Sequence, residues 1–254
     1  MEFFDSHSHY NDEKFDEDRE TIIKDTYNSG ITRFMCIGYN VSQSKKAVEI
    51  AEKYQFIYAT AGISPNDIED YSTESLNEIE ELCKKDKVLA VGEIGLDYYW
   101  NKENKELQKE LFIKQIEIAN RLNKPIVIHT RDAFIDTINI LKENPVKEKG
   151  IFHCCPLNQE LIKEGLKLGF YISFSGNITF KNAKSEEAVK LVPDDKLLIE
   201  TDSPYLSPEP FRGKRNDSRN VKFVAERIAK IKGISIEEVA KQTYENANKI
   251  YKLI

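Results

Sequence analysis

His7-Ser8-His9 sets two imidazoles two residues apart, shortly after an apolar pair, Phe3-Phe4, and one acid, Asp5. In an extended chain, residues two apart point to the same face, so both rings can close on one cation. Asp5 is placed to orient these histidines or a bound water. Two further histidines end apolar runs: His129 follows Pro125-Ile126-Val127-Ile128 and His153 follows Gly150-Ile151-Phe152. A lone strand-end histidine is more often a hydrogen-bonded core residue than a ligand. Here, however, all four histidines of the chain take the same kind of position. Glu93, in Val91-Gly92-Glu93-Ile94-Gly95, and Asp202, in Glu200-Thr201-Asp202-Ser203-Pro204, add carboxylates at the ends of otherwise apolar runs. A buried carboxylate is costly unless it is paired, hydrogen-bonded or bound to metal. Helix capping or ion pairing is the ordinary alternative, stronger for Asp202 than for Glu93, and Glu200 fits a supporting role beside Asp202. Histidines grouped with carboxylates suit a divalent transition metal, with enough acids to hold a second ion bridged by Glu93. The chemistry implied is hydrolysis, because such ions polarise a phosphoryl or acyl oxygen and lower the pKa of water from about 16 towards about 7. The chain has no P-loop, GxGxxG, GxSxG or HExxH motif, so nucleotide, dinucleotide, serine-hydrolase and zincin chemistries lack their signatures.

The elements that must position these residues are short β-rich runs at Phe3–Asp5, Ile31–Gly38, Phe56–Ile63, Val88–Ile94, Pro125–His129, Gly150–His153, Phe170–Phe174 and Lys196–Thr201. Helical spacing separates them, at Arg19–Asn28, Ser42–Lys53, Thr73–Lys84, Lys105–Leu122, Phe134–Lys142, Glu160–Leu168 and Lys222–Ile231. The stripe in Lys105–Leu122 is the clearest, with Leu107, Leu111, Phe112, Gln115, Ile116, Ile118, Ala119 and Leu122 on one face. Strands alternating with helices imply a parallel sheet. Ligand-type residues at the ends of five different strands converge only if that sheet closes. The pattern therefore predicts an α/β chain forming a single (β/α)8 TIM barrel over residues 1–254, with a C-terminal helical extension at Ser235–Ile254.

Composition narrows the function classes. With 254 residues, 40% hydrophobic and 31% charged, and few prolines and glycines, the chain is an ordered globule with material for a core. Lys and Arg number 37 against 43 Asp and Glu, a net charge of −6, which argues against a broad basic face for duplex DNA while leaving room for a local basic site. Cys36, Cys83, Cys154 and Cys155 form no CxxC pair and are read as reduced thiols. No run approaches the roughly 20 apolar residues of a membrane span, and the N-terminus lacks a signal-peptide pattern. A soluble cytoplasmic protein is expected, with no membrane partner and no obligate protein partner.

At these residues the chain resembles the TatD family of metal-dependent deoxyribonucleases, a branch of the amidohydrolase-like barrels. The similarity runs through Asp5–His9, Val91–Tyr99, Ile128–Ala133, Ser173–Lys181, Glu200–Leu206 and Arg212–Asn216, in order and at family spacing. It implies a nuclease, often a 3′–5′ exonuclease on single-stranded DNA, that cleaves phosphodiesters with metal-activated water. One or two divalent ions (Mg, Mn, Zn, Ni or Co) would be the cofactor, and DNA ends or single-stranded DNA the substrate. Carried over by position, His7, His9, Glu93 and Asp202 would hold one ion and Glu93, His129 and His153 the other. Asp202 and Glu93 would be the catalytic carboxylates, with Asp202 taking the proton of the attacking water. The segment that usually reads Gly-x-His-Pro-His is here Gly62-Ile63-Ser64-Pro65-Asn66, and the usual His-Cys-Phe-Ser-Gly is His153-Cys154-Cys155-Pro156-Leu157. Ser64 and Asn66 are thus candidates for hydrogen-bonding a substrate phosphate, and Arg131, Arg212, Lys214 and Arg215 for a small basic entrance. A small ester, amide or phosphoester is the alternative substrate, and a non-catalytic metal-binding interaction protein the second alternative.

Overall fold

All eight predicted runs form strands in the structure, a computed structural model that describes residues 1–253. They are β1 (Phe3–Ser8), β2 (Ile31–Cys36), β3 (Ile57–Ala61), β4 (Val88–Asp97), β5 (Ile126–Arg131), β6 (Gly150–Phe152), β7 (Tyr171–Phe174) and β8 (Leu197–Ile199). Consecutive strands pair in parallel, in the order β1 to β8. Between β8 and β1 the ring is drawn together by polar contacts near the site. Asp202 N–H donates to His7 O at 2.9 Å, His9 N–H to Ser203 O at 2.7 Å and Ser6 Oγ to Ile199 O at 2.9 Å. The result is the nearly closed (β/α)8 barrel, whose C-terminal strand ends gather around one mouth.

The helices are α1 (Arg19–Asn28), α2 (Val41–Lys53), α3 (Thr73–Cys83), α4 (Lys105–Leu122), α5 (Phe134–Glu143), α6 (Gln159–Lys167), α7 (Ser185–Leu191), α8 (Val221–Lys232) and α9 (Ile236–Ile250). The predicted C-terminal helix is shorter than Ser235–Ile254: Ser235 is its N-cap in a capping box with Glu238, the helix ends at Ile250, and Ile254 lies outside the described residues. Sequence periodicity misses α7, because two turns with only Ala188 and Val189 as buried apolar residues are too short to register a period. No helix among the described residues is long and apolar enough to cross a membrane.

Two apolar layers follow from strand alternation. Phe4, Met35, Ala90, Val127, Ile151, Tyr171 and Leu198 point into the barrel, where Ala247 and Ile250 of α9 and its C-cap Tyr251 meet them. Phe4 stacks on Tyr251 with centroids 5.9 Å apart, and Tyr251 Oη donates to Ser6 O at 3.2 Å. The C-terminal helix thus plugs the end of the barrel opposite the histidines. The larger outer layer packs the other strand faces against α1–α8. In α4 the predicted buried stripe is offset: Leu107 is 40% exposed and Gln108 fully buried. The reason is polar. Gln108 accepts from Asp97 N–H at 2.8 Å and donates to Asp97 O and Asn101 O, satisfying the backbone at the end of β4. Gln115 does the same for Ile63, accepting from its N–H at 2.8 Å and donating to its carbonyl at 2.9 Å.

Candidate metal centre

β4 and β5 meet closely because Gly95 has φ +138°, and a Cβ there would lie 2.0 Å from His129 O. This approach brings Glu93 and His129 to one floor. Glu93 is buried and its two oxygens are divided between two histidine pairs. Oε2 lies 3.3 Å from His7 Nε2 and 4.0 Å from His9 Nε2; Oε1 lies 3.1 Å from His129 Nδ1 and 3.3 Å from His153 Nε2. Within the pairs, the His7 and His9 Nε2 atoms are 3.2 Å apart, and His129 Nδ1 is 3.3 Å from His153 Nε2. Asp202 Oδ1 stands 3.2 Å from His9 Nε2 and 3.7 Å from His7 Nε2. All six predicted ligands therefore converge.

Two of the rings are fixed from behind by hydrogen-bond acceptors, and a third faces a carboxylate within ion-pair range. His9 Nδ1 faces Ile37 O at 3.2 Å, His129 Nε2 faces Asp97 Oδ2 at 2.9 Å, and His153 Nδ1 is 3.4 Å from Glu200 Oε1. In a neutral ring, a proton on the nitrogen behind would leave the opposite nitrogen free to serve as a ligand at the centre. His7 and His153 make no hydrogen bond at Nδ1, and the two rings stack at 3.8 Å. Two such lone pairs held face to face repel unless a proton or a metal ion lies between them. Metal–ligand bonds of about 2.0–2.2 Å set neighbouring donors about 2.8–3.6 Å apart around a tetrahedral or octahedral ion, and the closest donor pairs here, at 3.1–3.3 Å, match. The two triads His7/His9/Glu93 and Glu93/His129/His153 thus fit divalent ions. A third grouping, His7/His153/Glu200, lies behind the rings, where Glu200 also accepts from Cys154 N–H at 2.6 Å.

Burial disfavours charge on every one of these groups. It leaves the His7 imidazole below its ordinary value, with the neighbouring His153 adding to the effect. At His9 and His129 burial is outweighed by the hydrogen bonds to Asp202 and Asp97, which hold both rings above the ordinary value. At His153 burial is outweighed by the charge of Glu93, and the ring stands well above it. Burial is likewise reversed at the acids: the surrounding imidazoles keep Glu93 well below the usual carboxylate range, and His9 holds Asp202 below it. Asp97 is held at about 2, its hydrogen bond from His129 overcoming burial. The carboxylates are therefore ionised and available as donors at neutral pH.

Asp97 is a functional residue that sequence reasoning left without a role, although it follows Glu93 and Gly95 on one face of β4. Asp5, by contrast, touches no imidazole ring. It accepts from the backbone N–H of His7 at 3.3 Å and of Thr201 at 2.9 Å, so it ties the β1 backbone at His7 to the segment that follows β8. Asp202 and Cys154 both have positive φ, +56° and +37°, a conformation that costs energy for residues with a Cβ and that clusters at functional sites.

A family model described as TatD related DNase matches residues 4–252. The chain belongs to the TatD family. It is 46% identical over 252 residues to the uncharacterized metal-dependent hydrolase YabD of Bacillus subtilis, covering 98% of this chain and 99% of that one. It is 30% identical over 260 residues to human deoxyribonuclease TATDN3, covering 97% and 93%. The crystal structure of YjjV, a TatD homologue from Escherichia coli, superposes with a TM-score of 0.94 at 25% identity, covering 98% of both chains. Together with the donor set, this makes the protein a TatD-family metal-dependent hydrolase.

The segments that depart from the usual TatD pattern are partly occupied by internal bonds. Ser64 caps a short 3-10 helix: its Oγ accepts from Asn66 N–H at 3.1 Å and donates to Asp67 Oδ2 at 3.0 Å. Asn66 Nδ2 donates to Asp97 Oδ2 at 3.2 Å, so Asn66 backs the His129 support. Arg131 lines a cavity of about 640 Å³ above the centre, together with His129, His153, Asp202, Trp100 and Tyr205. Arg212 and Lys214 line an adjoining hollow that shares Tyr205 with it. Arg215 leaves the basic entrance, because Asp18 binds its guanidinium through both oxygens.

Proposed function

We propose that this hydrolase is a deoxyribonuclease that trims single-stranded DNA from its 3′ end in the cytoplasm, using one or two divalent ions. The observation that carries the proposal is Glu93, whose two oxygens serve separate histidine pairs on the floor of an open cavity. His7, His9, Glu93 and Asp202 would hold one ion, and Glu93, His129 and His153 the other. Bound there, the ions would neutralise phosphate charge and lower the pKa of water towards about 7. Asp202, ionised and on the open side of the His7/His9 pair, would accept the proton of the attacking water at Oδ1. Asp97 and Glu200 would hold His129 and His153 in the tautomers that face the cavity. The net charge of −6 is compatible with a polyanionic substrate, because the acids at the centre would be neutralised by the ions they hold. The name of the human relative, a deoxyribonuclease, supports the substrate class.

The test gives end-labelled single-stranded DNA, with Mg²⁺, Mn²⁺ or Zn²⁺, to the purified protein beside a panel of small esters and phosphoesters. Metal-dependent laddering from the 3′ end, lost in Glu93→Ala, is expected. Asp202→Asn, which tolerates the positive φ while removing the base, should cost about 10²–10⁴-fold in kcat/KM. Turnover of a small ester with the DNA left intact would overturn the proposal.

A further inference from the structure

The carboxylate that orients His129 also anchors an aromatic pair at the mouth of the cavity. Tyr99 and Trp100 follow β4, and both backbone N–H groups donate to Asp97 Oδ1 at 2.9 Å, while Asp97 Oδ2 accepts from His129. The rings pack edge to face, with centroids 4.7 Å apart and planes at 89°. Arg131, at the end of β5, lays its guanidinium 3.8 Å from the Tyr99 centroid and 5.5 Å from that of Trp100, and among the described residues it pairs with no carboxylate. Trp100 is nevertheless 66% exposed and Tyr99 45%. A tryptophan gains most from burial of its large flat surface, and this one is held open beside the metal centre, on the wall of the cavity that His129, His153 and Asp202 also line.

We propose that Trp100, backed by Tyr99 and Arg131, is a stacking platform for one nucleobase of a strand whose phosphodiester lies at the metal centre. This rests on the nuclease function proposed above. An indole face takes any base, because every base has a π-face. The Arg131 guanidinium stacks on the same rings and brings an uncompensated positive charge close to the flanking phosphates. A base can reach Trp100 only once it has left its own stack, so the platform selects single strands and frayed ends over intact duplex. The single tie through Asp97 sets the platform and His129 in register, so that a stacked base and its neighbouring phosphate are located together.

Trp100 is the only tryptophan of the chain, so its emission reports on the platform without reliance on turnover. The metal-loaded protein is titrated with a cleavage-resistant phosphorothioate oligothymidylate and with an abasic strand of the same length and charge. The base-bearing strand should quench Trp100 and the abasic strand should not. Trp100→Ala should weaken binding of the labelled base-bearing strand, read by anisotropy, roughly 5- to 100-fold. It should leave the abasic strand unaffected, and Trp100→Phe should keep most of the affinity. Equal quenching by both strands, or equal weakening of both by Trp100→Ala, would overturn the platform. So would emission that tracks protein concentration alone, which would mark the face as a contact between copies. Cleavage of ordinary oligothymidylate without quenching would overturn the platform alone. Base-dependent quenching without cleavage would overturn the nuclease function and leave the binding site. Failure of both strands to bind would overturn both.

Discussion

Glu93 is buried among four imidazoles and has no neutral role open to it at the residue scale, since its carboxylate is held ionised where an isolated charge would be costly. Glu93→Gln keeps the shape and removes the charge. Metal content by elemental analysis should fall below one ion per chain, with the circular dichroism spectrum unchanged. Asp97 works through His129, so Asp97→Asn should weaken metal binding about 10- to 100-fold in competition with a chelator, a shift that a surface acid such as Glu237 would not produce. The ligands were legible as strand-end residues because their types are rare in apolar runs. Of the supports, Glu200 was readable as a residue backing the site beside Asp202, but which ring it faces was not. Asp97 and Asn66 are common residue types, and nothing local says that Asp97 will face the back of a ring from a different strand or that Asn66 will bond Asp97.

The helices do more than cover the sheet at the element scale. α4 splints two strand ends through Gln108 and Gln115, each bonded to both the N–H and the C=O of one backbone residue. Gln115→Leu leaves the Ile63 N–H and C=O buried without partners. It should cost about 1–3 kcal/mol for each stranded group, measured by urea unfolding. α9 closes the lower end of the barrel, and Phe4→Ala, which empties the space between β1 and Tyr251, should cost about 3–5 kcal/mol in the same measurement. Element type was readable from Gly and Pro punctuation and from the change of apolar period between strand and helix. Two features escaped it. The burial of Gln108 in place of Leu107 is dictated by unpaired backbone groups at the end of β4, and α7 is too short to show a period.

Metal binding and folding are linked at the scale of the whole molecule, because the ligands come from β1, β4 and β5 and from the segments after β1, β6 and β8, and meet only in the closed barrel. Metal at one hundred times its Kd should stabilise the native state by about 2.7 kcal/mol, and chelation should lower the Tm by about 5–11 °C in a chain of this size. Acidification should remove the same increment, since protons compete with the ions for the imidazole nitrogens. The thiols report on the same closure. Burial pushes Cys36 and Cys83 up to about 12, and Cys155 is buried as well. A thiol reagent at pH 8 should therefore leave these three untouched in the native protein and titrate all four cysteines only after denaturation.

What the sequence determined by itself is the alternation of strands and helices, the barrel class and the six metal-ligating candidates. Each of these is a local pattern: a period, a turn residue, or a polar residue where an apolar run ends. What only the tertiary structure decided is the division of Glu93 between two histidine pairs, the placing of Ile37 O and Asp97 behind His9 and His129, and the removal of Arg215 from the entrance by Asp18. It also decided the placement of Trp100 on the wall of the metal cavity. Those depend on distances of about 3 Å between residues as far apart in the chain as His9 and Asp202, and such distances exist only once the ring of strands has closed.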